Sequence, residues 1–212
     1  CSRNLLPGPR IICNNHLYIS SYYRSNMEQY VRSIQNTFAG AQNEHAIEMS
    51  YYGHLQHIIQ RELDHDTSAV NGWRIEINFG AEGTFPDFSI YNEEGLTVAR
   101  IEAKPPEVPL NQIITQNQKQ LTKYLDVTKS GHPNLIITNF LSFSLAELIE
   151  DQVITSGDVT TLFESADALQ NFAIEPDSID ALRGTFREFI GQITNLQPQE
   201  INTAESTTNL LG

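Results

Sequence analysis

Cysteine, long apolar runs and positive charge are all scarce in this chain. It has two cysteines, Cys1 and Cys13, with no CxxC partner and no histidine cluster at zinc spacing beside them. A disulfide framework is not expected, although a Cys1–Cys13 bridge stays open, and a reducing cytoplasm is the expected setting. No apolar run reaches the roughly 18 residues of a membrane-spanning helix. The first residues lack the basic start and apolar core of a signal peptide. They also lack an initiator Met, which reads as a chain trimmed or cut from something longer. Lys and Arg total 13 against 26 Asp and Glu, a formal net charge of −13. That balance is the reverse of a free DNA-binding domain. A Walker A motif and the Asn/Asp-Pro-Pro-aromatic run of adenine methylases are absent. Gly80 and Gly83 form a loop rather than a phosphate cradle, because no Lys and helix follow them.

What is present suits a packed domain. The 212 residues are 40% hydrophobic and 18% charged, enough for one core plus an appendage. Residues 1–24 read as an extended N-terminal arm. Met27, Tyr30, Val31, Ile34 and Phe38 fall at helical spacing and Gly40 ends that helix. A second helix is expected over 43–63, with Ile47, Tyr51, Leu55, Ile58 and Ile59 on one face. Residues 73–79 alternate as a strand, as do 87–91 and 96–103, the last two joined by the turn Asn92–Gly95. Pro105, Pro106 and Pro109 stop the third strand. A helix over 110–125 and a buried strand over 134–139 follow, then a short edge strand over 140–144. Helices are expected near 145–151, 158–171 and 177–194, and a linker or tail over 195–212. The expected fold class is α/β, a mixed central sheet flanked by helices. Its core spans 25–145 and a helical extension spans 146–194.

The chemistry concentrates in FPDFSIYNEEGLTVARIEAKP, residues 85–105. Strand side chains alternate, so Glu102 and Lys104 share a face while Ala103 points to the core. Asp87 stands at the mouth of the neighbouring strand, where a hairpin can bring its carboxylate to Glu102. Two carboxylates suit Mg²⁺, which keeps several waters, and the Ala103 carbonyl is a further candidate ligand. Such an ion lowers the pKa of a bound water and neutralises charge on a phosphorane, with Lys104 positioning the water. An Asp–Glu–Lys trio also occurs by chance on solvated hairpins. Here, however, Val98, Ile101 and Ala103 make the strand look buried, and buried ionisable groups need partners or a metal. Gln120 and Tyr124 lie one turn apart on the following helix.

These residues resemble the PD-(D/E)XK motif of restriction-endonuclease-like nucleases: Pro86-Asp87, then Glu102-Ala103-Lys104. Gln120-x-x-x-Tyr124 is similar to the QhxxY motif of the RecB-like branch. In order, IEMSYYGHL, the 85–105 stretch, QLTKYL and NLIITNFLSF resemble the N-terminal nuclease domain of type ISP and type IIG/IIL single-chain restriction–modification enzymes, over roughly 44–145. The resemblance implies a restriction-endonuclease-like core that cuts double-stranded DNA with Mg²⁺, or Mn²⁺ as a substitute. It implies metal binding at Asp87 and Glu102, catalysis with Lys104, and Glu48 completing the metal site, with Glu44 and Glu62 as rivals on the same helix. Gln120 and Tyr124 would support the site or touch the DNA backbone. Methyltransferase, helicase or target-recognition domains in the same polypeptide or complex would be partners, and no membrane is implied. Two other readings stay open: a catalytically silent module of the same fold, and an acidic DNA mimic or partner-binding protein, for which the net charge speaks. His54 and His57, with His45 upstream, could bind a transition metal, but without a placed fourth ligand they read as surface histidines.

Overall fold

The computed structural model describes residues 15–40, 44–66, 72–78, 85–126 and 134–198. A six-stranded sheet runs in sequence order: β1 Arg74–Ile77, β2 Phe88–Tyr91, β3 Thr97–Ala103, β4 Leu135–Thr138, β5 Ser142–Ile149 and β6 Gln152–Thr161. Every neighbouring pair is antiparallel except β3–β4, which is parallel. The parallel step needs a crossover, and α3 (Leu110–Gln116) and α4 (Gln118–Leu125) supply it. The architecture is therefore mixed α/β, as the sequence implied, with a helical C-terminus formed by α5 (Ala166–Gln170) and α6 (Pro176–Thr194).

The two faces of the sheet are covered unequally. Helices α1 (Asn15–Gly40), α2 (Glu44–Asp66) and α6 lie over one face. Met27, Tyr30, Val31 and Ile34 from α1 meet Tyr51, Leu55, Ile58, Ile59 and Leu63 from α2. Phe186, Phe189, Ile190 and Ile193 from α6 join them, over Phe88, Ile90, Ala99, Ile101 and Ala103 of the sheet. Burying one such side chain contributes about 1.5–3 kcal/mol. On the other face, Ile113, Leu121, Tyr124 and Leu125 of α3 and α4 pack on Leu135, Ile137, Ala146 and Val153. That second layer covers β4 to β6, and among the described residues it places no apolar side chain against β1 or β2.

Several expectations need correction. Residues 15–24 belong to α1 rather than to an extended arm, since no Pro or Gly interrupts the chain from Asn15 to Ala39; residues 1–14 lie outside the described residues. The single helix expected over 110–125 breaks at Asn117, whose side-chain amide donates to the Ile113 carbonyl and competes with helix continuation. Residues 145–151 are not a helix, and no edge strand sits at 140–144. Instead β5 occupies Ser142–Ile149 in the sheet interior, between β4 and β6. Leu145, Ala146, Glu147 and Leu148 favour helix intrinsically, but pairing on both sides overrides that preference. Residues 158–161 complete β6, and helix begins only at Ala166. The expected helical extension over 146–194 thus opens with sheet, and helix follows from Ala166. Of the expected tail, 195–198 is described, and Leu196 packs on the core; 199–212 lies outside the described residues.

Two turns shape the region near the expected site. Between β2 and β3, the Asn92 carboxamide oxygen accepts from Glu94 N and Leu96 N, and Gly95 takes φ 78°, where a Cβ is costly. Between β4 and β5, buried Phe140 takes φ 67°, a conformation that costs a bulky residue on the order of 1–3 kcal/mol. Its neighbours hold it there. Thr138 Oγ1 accepts from Phe140 N, Asn139 Oδ1 accepts from Leu141 N and Ser142 N, and the Tyr30 hydroxyl donates to the Phe140 carbonyl. The ring packs between Tyr51 and Tyr52.

Candidate active site

The β2–β3 register decides the geometry. Phe88 pairs with Ile101, so one step outward sets Asp87 opposite Glu102 on one face. Pro86 and Asp87 are fixed from β1: Asn78 N donates to the Asp87 carbonyl at 2.8 Å, and the Asn78 carboxamide donates to the Pro86 carbonyl at 2.7 Å. Ala103 N donates to Asp87 Oδ2 at 2.7 Å, which ties the Asp87 side chain to the end of β3. Ala103 itself is buried.

Glu102 is 1% exposed. Its Oε1 lies 2.8 Å from Lys104 Nζ and accepts from Gln120 Nε2 at 3.1 Å. Gln120 Nε2 also donates to the Tyr124 hydroxyl at 2.7 Å, as the one-turn spacing on α4 allows. Lys104 N donates to the Thr138 carbonyl at 2.9 Å, so the end of β3 is anchored to the strained turn after β4. Burial, then the charge of Glu102, pushes the Tyr124 hydroxyl up to about 12; Asp87 adds to the rise, while the Gln120 bond and Lys104 oppose it. Tyr124 is therefore neutral at ordinary pH and senses every charge of the constellation.

The structure brings Asp87, Glu102, Lys104, Gln120 and Tyr124 together. Glu48 lies in α2, but its side chain, like that of Glu44, falls outside the described residues. Glu62 is buried on the far side of the sheet, with Arg183 Nε 3.3 Å from Oε1 and Arg187 Nε 3.7 Å from Oε2. Glu62 is thus engaged in an ion-pair network with α6. His57 is exposed and His54 half-buried, its pKa lowered by burial and then by His57. Among the described residues no three His, Cys, Asp or Glu side chains form a metal cluster. Asp87 and Glu102 are the pair of hard oxygen donors that could share one ion, the two-carboxylate pattern suited to Mg²⁺.

Sequence reasoning missed three contributors. Asn78 anchors the Asp87 strand. Asn139 bonds the Val108 carbonyl in the loop after Lys104. Arg100 lies on the Glu102–Lys104 face of β3, a position that the same two-residue alternation makes readable.

Among solved structures, the cryo-EM structure of a DrdV–DNA complex is similar to this chain, with a TM-score of 0.44 and 15% sequence identity. The match covers 86% of this chain and 14% of that one. No family model and no curated protein matches the chain. Among the described residues no helix is long and apolar enough to cross a membrane.

Proposed function

We propose that this chain is a Mg²⁺-dependent DNA endonuclease domain with a restriction-endonuclease-like core. The observation that carries the reading is a nearly fully buried Glu102 carboxylate, gripped by Lys104 at 2.8 Å, across from Asp87 on the same face of the sheet. Asp87 and Glu102 would hold Mg²⁺, or Mn²⁺ in its place, and Glu48 or the Ala103 carbonyl would add an oxygen. When bound, the ion supplies Lewis acidity and a more acidic water. Lys104 would orient the attacking water and offset negative charge as the new P–O bond forms and the leaving oxygen departs. Gln120 would fix the Glu102 carboxylate while its second contact holds Tyr124.

The net charge of −13 limits how firmly the chain could grip DNA by itself. A methyltransferase, helicase or target-recognition domain, in the same polypeptide or complex, would deliver the duplex. A cytoplasmic restriction–modification or related phage-defence enzyme is the setting that fits. The acidity also favours a second reading, a DNA mimic or partner-binding protein. Its binding would need no metal and would survive Lys104→Ala.

The test is plasmid nicking by the purified chain in Mg²⁺. Asp87→Ala and Lys104→Ala should each lower the rate by about a thousandfold in chains shown by circular dichroism to be folded. Nicking at the parental rate by either variant overturns the nuclease reading.

A further inference from the structure

We propose that Arg100 is a phosphate anchor beside this site, holding a backbone phosphate adjacent to the one placed at Glu102 and Lys104. The nature of the anion rests on the nuclease reading; the existence of an anion site does not. Alternation along β3 sets Arg100, Glu102 and Lys104 on one face, and two residues of strand advance about 6.6 Å. The register extends that face across Ser89 and Tyr91 of β2 to Glu76 and Arg74 of β1. Among the described residues α3 and α4 place no apolar side chain against the β1 and β2 part of this strip.

The decisive feature is the lack of a counter-ion. Among the described residues the partly buried cations are Arg61, Arg100, Lys104, Arg183 and Arg187. Lys104 has Glu102, Arg183 and Arg187 have Glu62, and Arg61 is also engaged. The Arg100 guanidinium has no hydrogen bond or ion pair among the described residues, in a chain carrying 26 carboxylate side chains. Burial lowers its pKa, and the groups that act against this are the phenols of Tyr91 and Tyr124 rather than a carboxylate. An arginine stays charged even so. A half-desolvated cation without a partner is costly, and its planar fork matches a phosphate.

The neighbours complete an anion pocket rather than a structural ion pair. Tyr124 accepts from Gln120, so its own hydroxyl hydrogen remains for a further acceptor. Tyr91 is held against the Arg74 guanidinium, 4.3 Å from the ring centroid, and Arg74 is itself neutralised by Glu76 at 2.8 Å, so Arg100 is left as the unpaired cation of the strip among the described residues. Tyr124 would thus sit between two phosphates, next to Arg100 on one side and linked to Glu102 through Gln120 on the other.

The experiment uses the full chain, a labelled DNA duplex in Ca²⁺ to hold binding without turnover, and pyrophosphate alone. Arg100→Met should weaken duplex binding about tenfold and reduce the slope of log Kd against log salt by about 0.9. It should also abolish pyrophosphate binding, with the thermal midpoint unchanged. Arg100→Lys keeps the charge but not the fork, so it should keep the slope and weaken binding several-fold. That variant carries the test should Arg100→Met fail to fold. Parental affinity and salt slope in Arg100→Met, or parental affinity in Arg100→Lys, overturns the anchor. Pyrophosphate binding through Arg100 together with nicking at the parental rate by Asp87→Ala overturns the nuclease reading alone. Nicking whose KM and salt dependence ignore Arg100 overturns the anchor alone.

Discussion

Glu62 and Glu102 are both withdrawn from solvent, their side chains 0% and 2% exposed, yet their surroundings differ. Glu62 lies in the seam between α2 and α6, in the layer that fully covers one face of the sheet. Two arginines of α6 meet its two oxygens, and Arg187 reaches on to His65 Nδ1 at 3.0 Å. Two guanidiniums thus stand against its one charge, Arg183 largely buried and Arg187 partly exposed. Glu102 has one lysine, 23% exposed, and one neutral amide, and a second carboxylate stands across from it at Asp87. Two carboxylates that face one another beside a single lysine form a donor pair of the kind a divalent cation takes. Burial alone therefore does not distinguish the two carboxylates; the kinds of group set beside each one do.

That contrast can be broken from either side. Glu102→Gln should reduce nicking by about a thousandfold while leaving the midpoint of thermal unfolding unchanged or higher. A large fall in the midpoint would make Glu102 as structural as Glu62. Glu62→Gln should behave in the opposite way. Removing one partner of a buried ion pair costs about 3 kcal/mol, read from urea unfolding, while the folded fraction still nicks DNA. Asn139→Ala should be milder, about 2 kcal/mol, because two hydrogen bonds of the β4–β5 turn and one to the Val108 carbonyl are lost.

The smallest effect concerns Tyr124. Its folded-state pKa is raised above the ordinary 10 to about 12, so the folded state resists ionisation. The stability this represents is complete below pH 10 and is lost as pH rises through about 12. Burial also raises Tyr30 and Tyr51, in the same direction. Unfolding curves should therefore be flat through neutral pH and fall on the alkaline side. Tyr124→Phe should make that fall shallower with little change at pH 7. An unaltered alkaline limb would show that Tyr124 ionises as freely as in the unfolded chain.

The difference between the two glutamates was only partly legible in the sequence. Asp87, Glu102 and Lys104 could be brought together on paper because a two-residue period and one tight turn govern them. Gln120 and Tyr124 followed from helical spacing. Glu62 could not be separated from Glu48, since its partners lie 121 and more residues away on another helix. The β5–β6 hairpin was hidden twice over. Its strand is written in helix-favouring residues, and its two-residue turn uses Glu150 and Asp151 at φ 48° and 61° rather than the Asn-Gly or Gly that signals such a turn. Arg100 was readable by the same alternation as Glu102, but its missing counter-ion became visible only when every neighbour was in place.

The bond from Tyr30 to the Phe140 carbonyl spans 110 residues, and it has a kinetic meaning. The turn it secures holds Thr138, whose carbonyl anchors Lys104, and Asn139, which anchors the loop beyond. A contact of such separation must first close a long loop, which slows its formation. During synthesis α1 emerges long before β4 and must wait for it. The end of β3 that carries Lys104 is therefore expected to set late in folding, once α1 has docked against the turn between β4 and β5, and low φ-values at Tyr30 and Thr138 would report it.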